Sequence, residues 1–240
     1  QLHATPEALA ARDKEWNKLV SKGVFDDFRN VREWGSVAAE ARRKQKTVHM
    51  GMVFGICVQK NAEFKDQDPV YKYRYVFQGN RVKDQNYEVA IFQDLGSSPA
   101  SMEASRACDC HGCIEGNDIQ QADVEQAYVQ ALLKGTETWV QLPTEWWPPE
   151  WFNEDGTCKY HKPVVRLLRA LYGHPDAGSF WEQHCNAHCR SVGFVPIPDW
   201  PSCFYHVDLE VLMIIYVDDI KMAGPKDALP QAWKLLKEPP

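Results

Sequence analysis

Two adjacent carboxylates interrupt an apolar run at Ile214-Ile215-Tyr216-Val217-Asp218-Asp219-Ile220. Two anions at the end of a core strand are costly unless a cation offsets them. Oxygen-only ligands at such a place suit a hard ion, Mg²⁺ or Mn²⁺, rather than zinc. The dipeptide alone reads more simply as an ordinary turn between two strands. Asp123 weakens that simpler reading, because it ends another predicted strand in Ile119-Gln120-Gln121-Ala122-Asp123. Three carboxylates at strand ends can converge on two metals about 3.5 to 4 Å apart, a pair that stabilises the attacking and leaving oxygens of an in-line phosphoryl displacement.

The elements that must position these residues alternate irregularly between strand and helix, which predicts α+β packing rather than a doubly wound sheet. Thr5 and Pro6 open a helix that carries Leu9, Trp16, Leu19 and Val20 and stops at Gly23. Val48 to Val58 and Val70 to Phe77 read as a hairpin around the polar stretch Asn61 to Asp68. Ser98 before Pro99 predicts a helix start, with the helix running to Gly112. After the strand into Asp123, Ala127 to Leu133 read as a short helix ending at Gly135, and Thr138 to Leu142 as a strand. Ser179 and Glu182 have capping-box spacing, and their helix ends at Gly193. Cys203 to Val207 and Val211 to Val217 form a hairpin, the second strand apolar throughout and so buried on both faces.

A chain of 240 residues that is 44% hydrophobic and 12% aromatic can bury a core as one large domain or two small ones. The net charge of −6 excludes a protein coated in basic residues. Local basic clusters exist at Arg29, Arg32, Arg42, Arg43, Lys44 and Lys46, and at Lys72, Arg74, Arg81 and Lys83. Such clusters fit a nucleic-acid partner or a solvated face equally well. No stretch approaches the roughly 20 apolar residues of a membrane span, and the start has no signal-peptide pattern, so no membrane partner is expected and an intracellular protein is. Gln1 at the start and Pro239-Pro240 at the end suggest a piece of a longer polyprotein.

Eight cysteines in a reducing compartment are more often buried thiols or metal ligands than disulfides. Cys108, Cys110, His111 and Cys113, and His184, Cys185, His188 and Cys189, contain zinc-ligand types, but their spacing follows helix faces rather than a repeated knuckle. Reduced, metal-free thiols are expected, with a zinc-dependent interaction module as the rival reading. Trp146, Trp147 and Trp151 lie in a proline-rich loop that more often packs over a sheet than stacks on unpaired bases.

Tyr216-Val217-Asp218-Asp219 resembles the Tyr-x-Asp-Asp signature of reverse transcriptases, and Asp123-Val124 with Ala127-Tyr128 resembles that family's other catalytic motif. Further landmarks follow in order. Lys72-Tyr73-Arg74-Tyr75-Val76 resembles the Lys-Ala-Arg-Leu-Val stretch of the fingers. Glu137-Thr138-Trp139-Val140-Gln141-Leu142-Pro143 resembles the segment after the first motif, and Leu171-Tyr172-Gly173 followed by Trp181 resembles the template grip. Over residues 47 to 224 the chain resembles the reverse transcriptase of copia-type (Pseudoviridae-like) LTR retrotransposons.

The resemblance implies a right-hand polymerase fold without a thumb. Fingers would span 47–98 and 136–174, and palm 99–135 and 175–225, after an N-terminal helical extension at 1–46 and before the start of a following region at 226–240. It implies RNA-directed DNA polymerase activity, with Asp123 and Asp218 holding Mg²⁺ or Mn²⁺ and Asp219 in support. Tyr128 would be the ring that excludes a sugar 2′-hydroxyl, Val217 and Tyr216 would lie near the nucleotide and primer end, and Lys72 and Arg74 would hold the triphosphate. The implied partners are an RNA or DNA template with its primer, dNTPs, and the RNase H and integrase regions of a Pol polyprotein. The implied setting is a cytoplasmic virus-like particle or the nucleus. The usual Gln of the template grip is Asp176 here, in His174-Pro175-Asp176-Ala177-Gly178-Ser179. A carboxylate there opposes a phosphate unless a base such as Arg169 pairs with it, and it keeps open a rival reading as an inactive element remnant that folds or binds nucleic acid.

Overall fold

A computed structural model describes residues 5–60, 70–92 and 96–237. Those residues form a mixed α and β protein with two sheets and six helices. In chain order the elements are α1 (Pro6–Ser21), β1 (Arg32–Glu33), α2 (Trp34–Arg43), β2 (Val48–Lys60), β3 (Val70–Phe77), β4 (Lys83–Asp84), α3 (Met102–Gly112), β5 (Asn117–Asp123) and α4 (Ala127–Gln130). There follow β6 (Glu137–Gln141), β7 (Pro163–Arg166), α5 (Ala177–Ser191), β8 (Phe194–Pro196), β9 (Cys203–His206), β10 (Val211–Tyr216), β11 (Asp219–Pro225) and α6 (Leu229–Lys237). No helix among the described residues is long and apolar enough to cross a membrane.

The chain divides into two compact units, Gln1–Asp94 with Leu132–Ala177, and Leu95–Ala131 with Gly178–Pro240. Residues 5–46, read from sequence as an extension, lie within the first unit. Its sheet runs β1-β7-β6-β2-β3, with β4 also paired to β2. β2 changes partner midway: Val48–Met52 pair in parallel with β6, and Val53–Lys60 pair antiparallel with β3. The stretch Asn61 to Asp68 lies outside the described residues. Helix α1 begins where Thr5 accepts a hydrogen bond from the Ala8 amide, and it buries Trp16 and Leu19. Each such side chain contributes about 1.5 to 3 kcal/mol through the apolar surface it removes from water.

Trp16 is the centre of an aromatic cluster, stacked on Phe25 and on Trp146, with Tyr75 edge-on. The Trp146 indole donates to the Tyr75 hydroxyl, and the Arg12 guanidinium lies over the Trp146 ring. Trp147 and Trp151 donate to the carbonyls of Leu142 and Phe28. The tryptophan loop therefore packs over its own unit. A second apolar cluster joins α2 to the sheet through Trp34, Val37, Val48, Met50 and Trp139. At the end of the unit Gly173 has φ +85°, and a Cβ there would run into the Phe77 carbonyl oxygen.

In the second unit the sheet order is β5-β11-β10-β9-β8, all antiparallel. Alternation along β10 separates two cores. Val211, Met213 and Ile215 face Trp181, Cys185 and Cys189 of α5 and Leu229 and Ala232 of α6, whereas Ile214 joins Ala104 and Cys108 of α3. The apolar run expected to be buried on both faces is so from Val211 to Ile215, with Leu212 part-buried, whereas Tyr216 at its end is exposed.

Three helix boundaries differ from the sequence reading. Ser98 is no cap: its amide donates to the Glu182 carboxylate and the Ala100 amide donates to the Ile215 carbonyl, which holds this segment extended. The helix starts after Ser101, whose hydroxyl accepts from the Ala104 amide. Ser179 and Glu182 form no capping box, because α5 already begins at Ala177 and Glu182 is engaged by Ser98. Helix α4 stops at Gln130, short of Leu133, whose amide bonds to the Leu168 carbonyl.

Candidate functional site

The carboxylates are placed by a hairpin and the strand beside it. β10 and β11 close through the two-residue loop Val217-Asp218, with Tyr216 and Asp219 as the last paired residues. Val217 has φ 59°. That left-handed value at the first loop position normally calls for glycine, and for a β-branched residue it costs about 1 to 3 kcal/mol. The Trp181 indole N–H donates to the Val217 carbonyl at 2.7 Å.

On the other side of β11, β5 runs antiparallel with Asp123 directly opposite Asp219 and Gln121 opposite Lys221. The Val124 amide donates to the Asp218 carbonyl at 2.6 Å, tying the loop to the end of β5. All three predicted carboxylates thus meet at one end of one sheet. The resemblance made Asp218 the principal partner of Asp123, whereas the residue facing Asp123 in register is Asp219.

The electrostatics follow from that crowding. A hydrogen bond to the Asp123 carboxyl holds the Asp219 pKa above the ordinary carboxylate range; burial and the charges of Asp123 and Asp218 push the same way, and a hydrogen bond from Gln121 opposes them. Two carboxyls in hydrogen-bond contact share a proton or need a cation. Lys221, the cation on this face, is already bound to Asp109 at 2.7 Å and Ser105 at 2.8 Å. Among the described residues no Lys or Arg pairs with Asp123 or Asp219, and no group of three or more His, Cys, Asp or Glu side chains is arranged to hold a metal ion. Asp123 and Asp219 meet, and Asp218 stands beside them in the loop.

Tyr128 follows on α4, half-buried against the α5 core. Burial, and then the nearby charge of Asp218, raises its phenol pKa. Tyr128, Trp181, Cys185, Ile215 and Val217 line a cleft of about 30 Å³, the share of one water molecule rather than of a nucleotide. On the opposite face a roomier cleft of about 290 Å³ is lined by Asp219, Gln121, Lys221, Tyr216, Met102 and Ile214. Tyr216 is exposed there.

Lys72 and Arg74 lie in the first unit, whereas the carboxylates lie in the second. The pairing of Ile56 with Arg74 and Val58 with Lys72 places both cations on one face of the β2–β3 ribbon, where they line a cleft of about 360 Å³ with Lys60 and Tyr172. The Arg74 guanidinium sits 5.1 Å from the Tyr172 ring centroid. The sequence reading missed Lys60, Gln121 and the Trp181 bond. Strict alternation from Ile56 to Lys60 was the available signal for Lys60, and the other two depend on cross-strand or helix-to-loop geometry that spacing does not encode.

All eight cysteines are free thiols. Cys108, Cys185, Cys189 and Cys203 are buried, and the Cys189 thiol is held far above its ordinary pKa by a hydrogen bond with Cys185 and by burial. Asp176 donates its amide to His174 Nδ1 at 3.2 Å. No protein-family model matches the chain, and no curated protein matches it.

Proposed function

We propose that the chain is the fingers and palm of a copia-type reverse transcriptase, an RNA-directed DNA polymerase with Asp123, Asp218 and Asp219 at its reaction centre. The observation that supports this reading most is the pairing of Asp123 with Asp219 beside Asp218, since residues 95 and 96 positions from Asp123 in the chain bring their carboxylates to the same sheet end.

The donor set fits Mg²⁺ or Mn²⁺: its oxygens are all carboxylate, two of them are crowded enough to share a proton, and no cationic side chain among the described residues offsets them. Asp123 and Asp219 would hold the ion, with Asp218 contributing from the loop. A divalent cation bound there supplies charge neutralisation of the reacting phosphate oxygens.

The chain's own residues do the rest. Tyr128 stands beside Asp218, where its ring would contact the sugar of a nucleotide lying across the mouth of the narrow cleft. Burial further disfavours ionisation of a phenol already neutral near pH 7, so the ring would discriminate by shape rather than charge. Lys72 and Arg74 present cations with apolar neighbours, a surface suited to a phosphate chain. The reaction proposed is attack of a primer 3′-hydroxyl on the α-phosphate of a dNTP, releasing pyrophosphate, within a Pol polyprotein in a virus-like particle or the nucleus.

Primer extension tests this. The protein should add dNTPs to a DNA primer annealed to RNA, dependent on Mg²⁺ or Mn²⁺, and Asp123→Asn or Asp218→Asn should abolish the addition. Extension by both variants at the wild-type rate would refute the reading, and a folded protein that binds primer–template but never extends it would favour the inactive remnant that Asp176 suggests.

A further inference from the structure

The loop that carries Asp218 is held by a bond from outside the sheet. Val217 occupies a left-handed conformation that its branched side chain disfavours. A two-residue loop with this residue has competing conformations in which φ is negative, and each of these would turn the Val217 carbonyl and re-aim Asp218. The contact from beyond the hairpin that fixes the Val217 carbonyl itself is the 2.7 Å bond from Trp181 Nε1. Trp181 is itself 5% exposed, fixed among Met213, Ile215 and the other core residues of α5 and β10, so its N–H is a rigid donor. Asp218 is then bonded through its own carbonyl to the Val124 amide, one residue past Asp123. A continuous path therefore runs from the α5 core through the strained residue to both carboxylate-bearing segments.

We infer that Trp181 is a positioning residue: its indole N–H selects the left-handed Val217 conformer and so sets Asp218 and Asp219 against Asp123. This inference rests on the reading of the carboxylate site given above for its functional meaning, but not for its geometry. The bond matters because residue 217 carries a side chain that opposes its backbone, so glycine at 217, which adopts the left-handed region freely, should make the bond dispensable.

The experiment uses Trp181→Phe, which keeps a packed ring and removes the donor, alone and combined with Val217→Gly. Replacement of Trp181 by benzothienylalanine, which exchanges N–H for sulfur and keeps the bicyclic shape, serves as the second variant should the phenylalanine fail to fold. The first readout is hydrogen exchange of the Val124 amide, whose bond to Asp218 reports whether the loop is in place. Loss of the donor should speed this exchange about tenfold, the size of one net hydrogen bond, and in the Val217→Gly background by about twofold or less. The second readout is Mn²⁺ affinity by water-proton relaxation, expected to weaken and recover in the same pattern. Unchanged Val124 exchange, or an equal increase in both backgrounds, overturns the inference, since the ring would then only fill space. A wild-type protein that binds no Mn²⁺ refutes the carboxylate-site reading instead, and the Val124 exchange still decides the role of Trp181.

Discussion

Asp123 stands directly opposite Asp219 across the β5–β11 ladder, close enough for the two carboxyls to share a hydrogen bond. Like charges in that arrangement oppose folding whenever both are ionised. Because the folded-state pKa of Asp219 is raised, the folded protein binds its proton more tightly than the unfolded chain does. Stability should therefore fall as pH rises through that raised value. His174 contributes an opposite trend over the same range, so in urea unfolding across pH 4 to 7 without divalent ions the wild type should lose stability relative to Asp219→Asn as pH rises. Mg²⁺ should restore stability to the wild type at pH 7 and do little for the variant.

Tyr128→Val should raise incorporation of ribonucleotides relative to deoxyribonucleotides, because a steric clash discriminates by transition-state fit rather than by general binding. Mn²⁺ affinity should hardly change, since the ring is no ligand. If Tyr128 serves only as a core aromatic, the substitution should instead lower both activities together, with a stability loss of about 3 kcal/mol or more. Competitive incorporation assays and a melting curve on the same preparation separate the two.

His174 is buried against Phe77 and Phe92, with His49 also against Phe92, and burial lowers its pKa to about 4, the charge of His49 adding to the shift. A depressed histidine pKa means that the unfolded chain takes up the proton first. The stabilising effect of the neutral ring is therefore complete above the ordinary histidine range and is lost between about pH 6.5 and 4. The loss should be on the order of 3 kcal/mol. Denaturant midpoints at pH 7 and 4.5 should show it for the wild type, and His174→Phe should remove most of the difference.

Two positions in the first unit should be structurally unforgiving. Gly173→Ala meets both a positive φ and the Phe77 carbonyl and should cost about 2 kcal/mol or more. Trp146→Ala empties the stack on Trp16 and breaks the bond to Tyr75, with a cost of about 3 to 5 kcal/mol. Chemical denaturation measures both. A Trp146→Ala protein of undiminished stability that no longer bound single-stranded nucleic acid would show that the loop stacks on bases after all.

The sequence and the structure part company where long-range register enters. α1, the end of α5, the two hairpins and the apolar β10 run were legible because Thr5, Gly193 and the apolar patterning act locally. The carboxylates were legible as strand ends, since charge in an apolar run is conspicuous. That Asp219 rather than Asp218 faces Asp123 was not, because a register shift of one residue leaves every local pattern unchanged. Ser98 misled for a related reason: its cap potential is real, but the Ala100 amide it would have to cap bonds instead to the Ile215 carbonyl, far along the chain.

The two units are interleaved along the chain, and this constrains how the protein can be made. β2 needs β6 for its parallel pairing, yet residues 95 to 131 of the other unit are synthesised between them. Likewise β5 must wait for β11, on a segment made almost a hundred residues later. Neither unit can finish while the chain is still short, so a ribosome-bound intermediate exposes the apolar residues of β2 and β3 and the unpaired edge of β5 until late in synthesis. No single cut frees both units: a break near 177 keeps the first sheet whole but parts β5 from β11, a break near 94 keeps the second whole but parts β2 from β6, and a break near 131 severs both. Expression of either unit alone therefore requires splicing its two segments with a linker, and crude truncations should aggregate rather than fold.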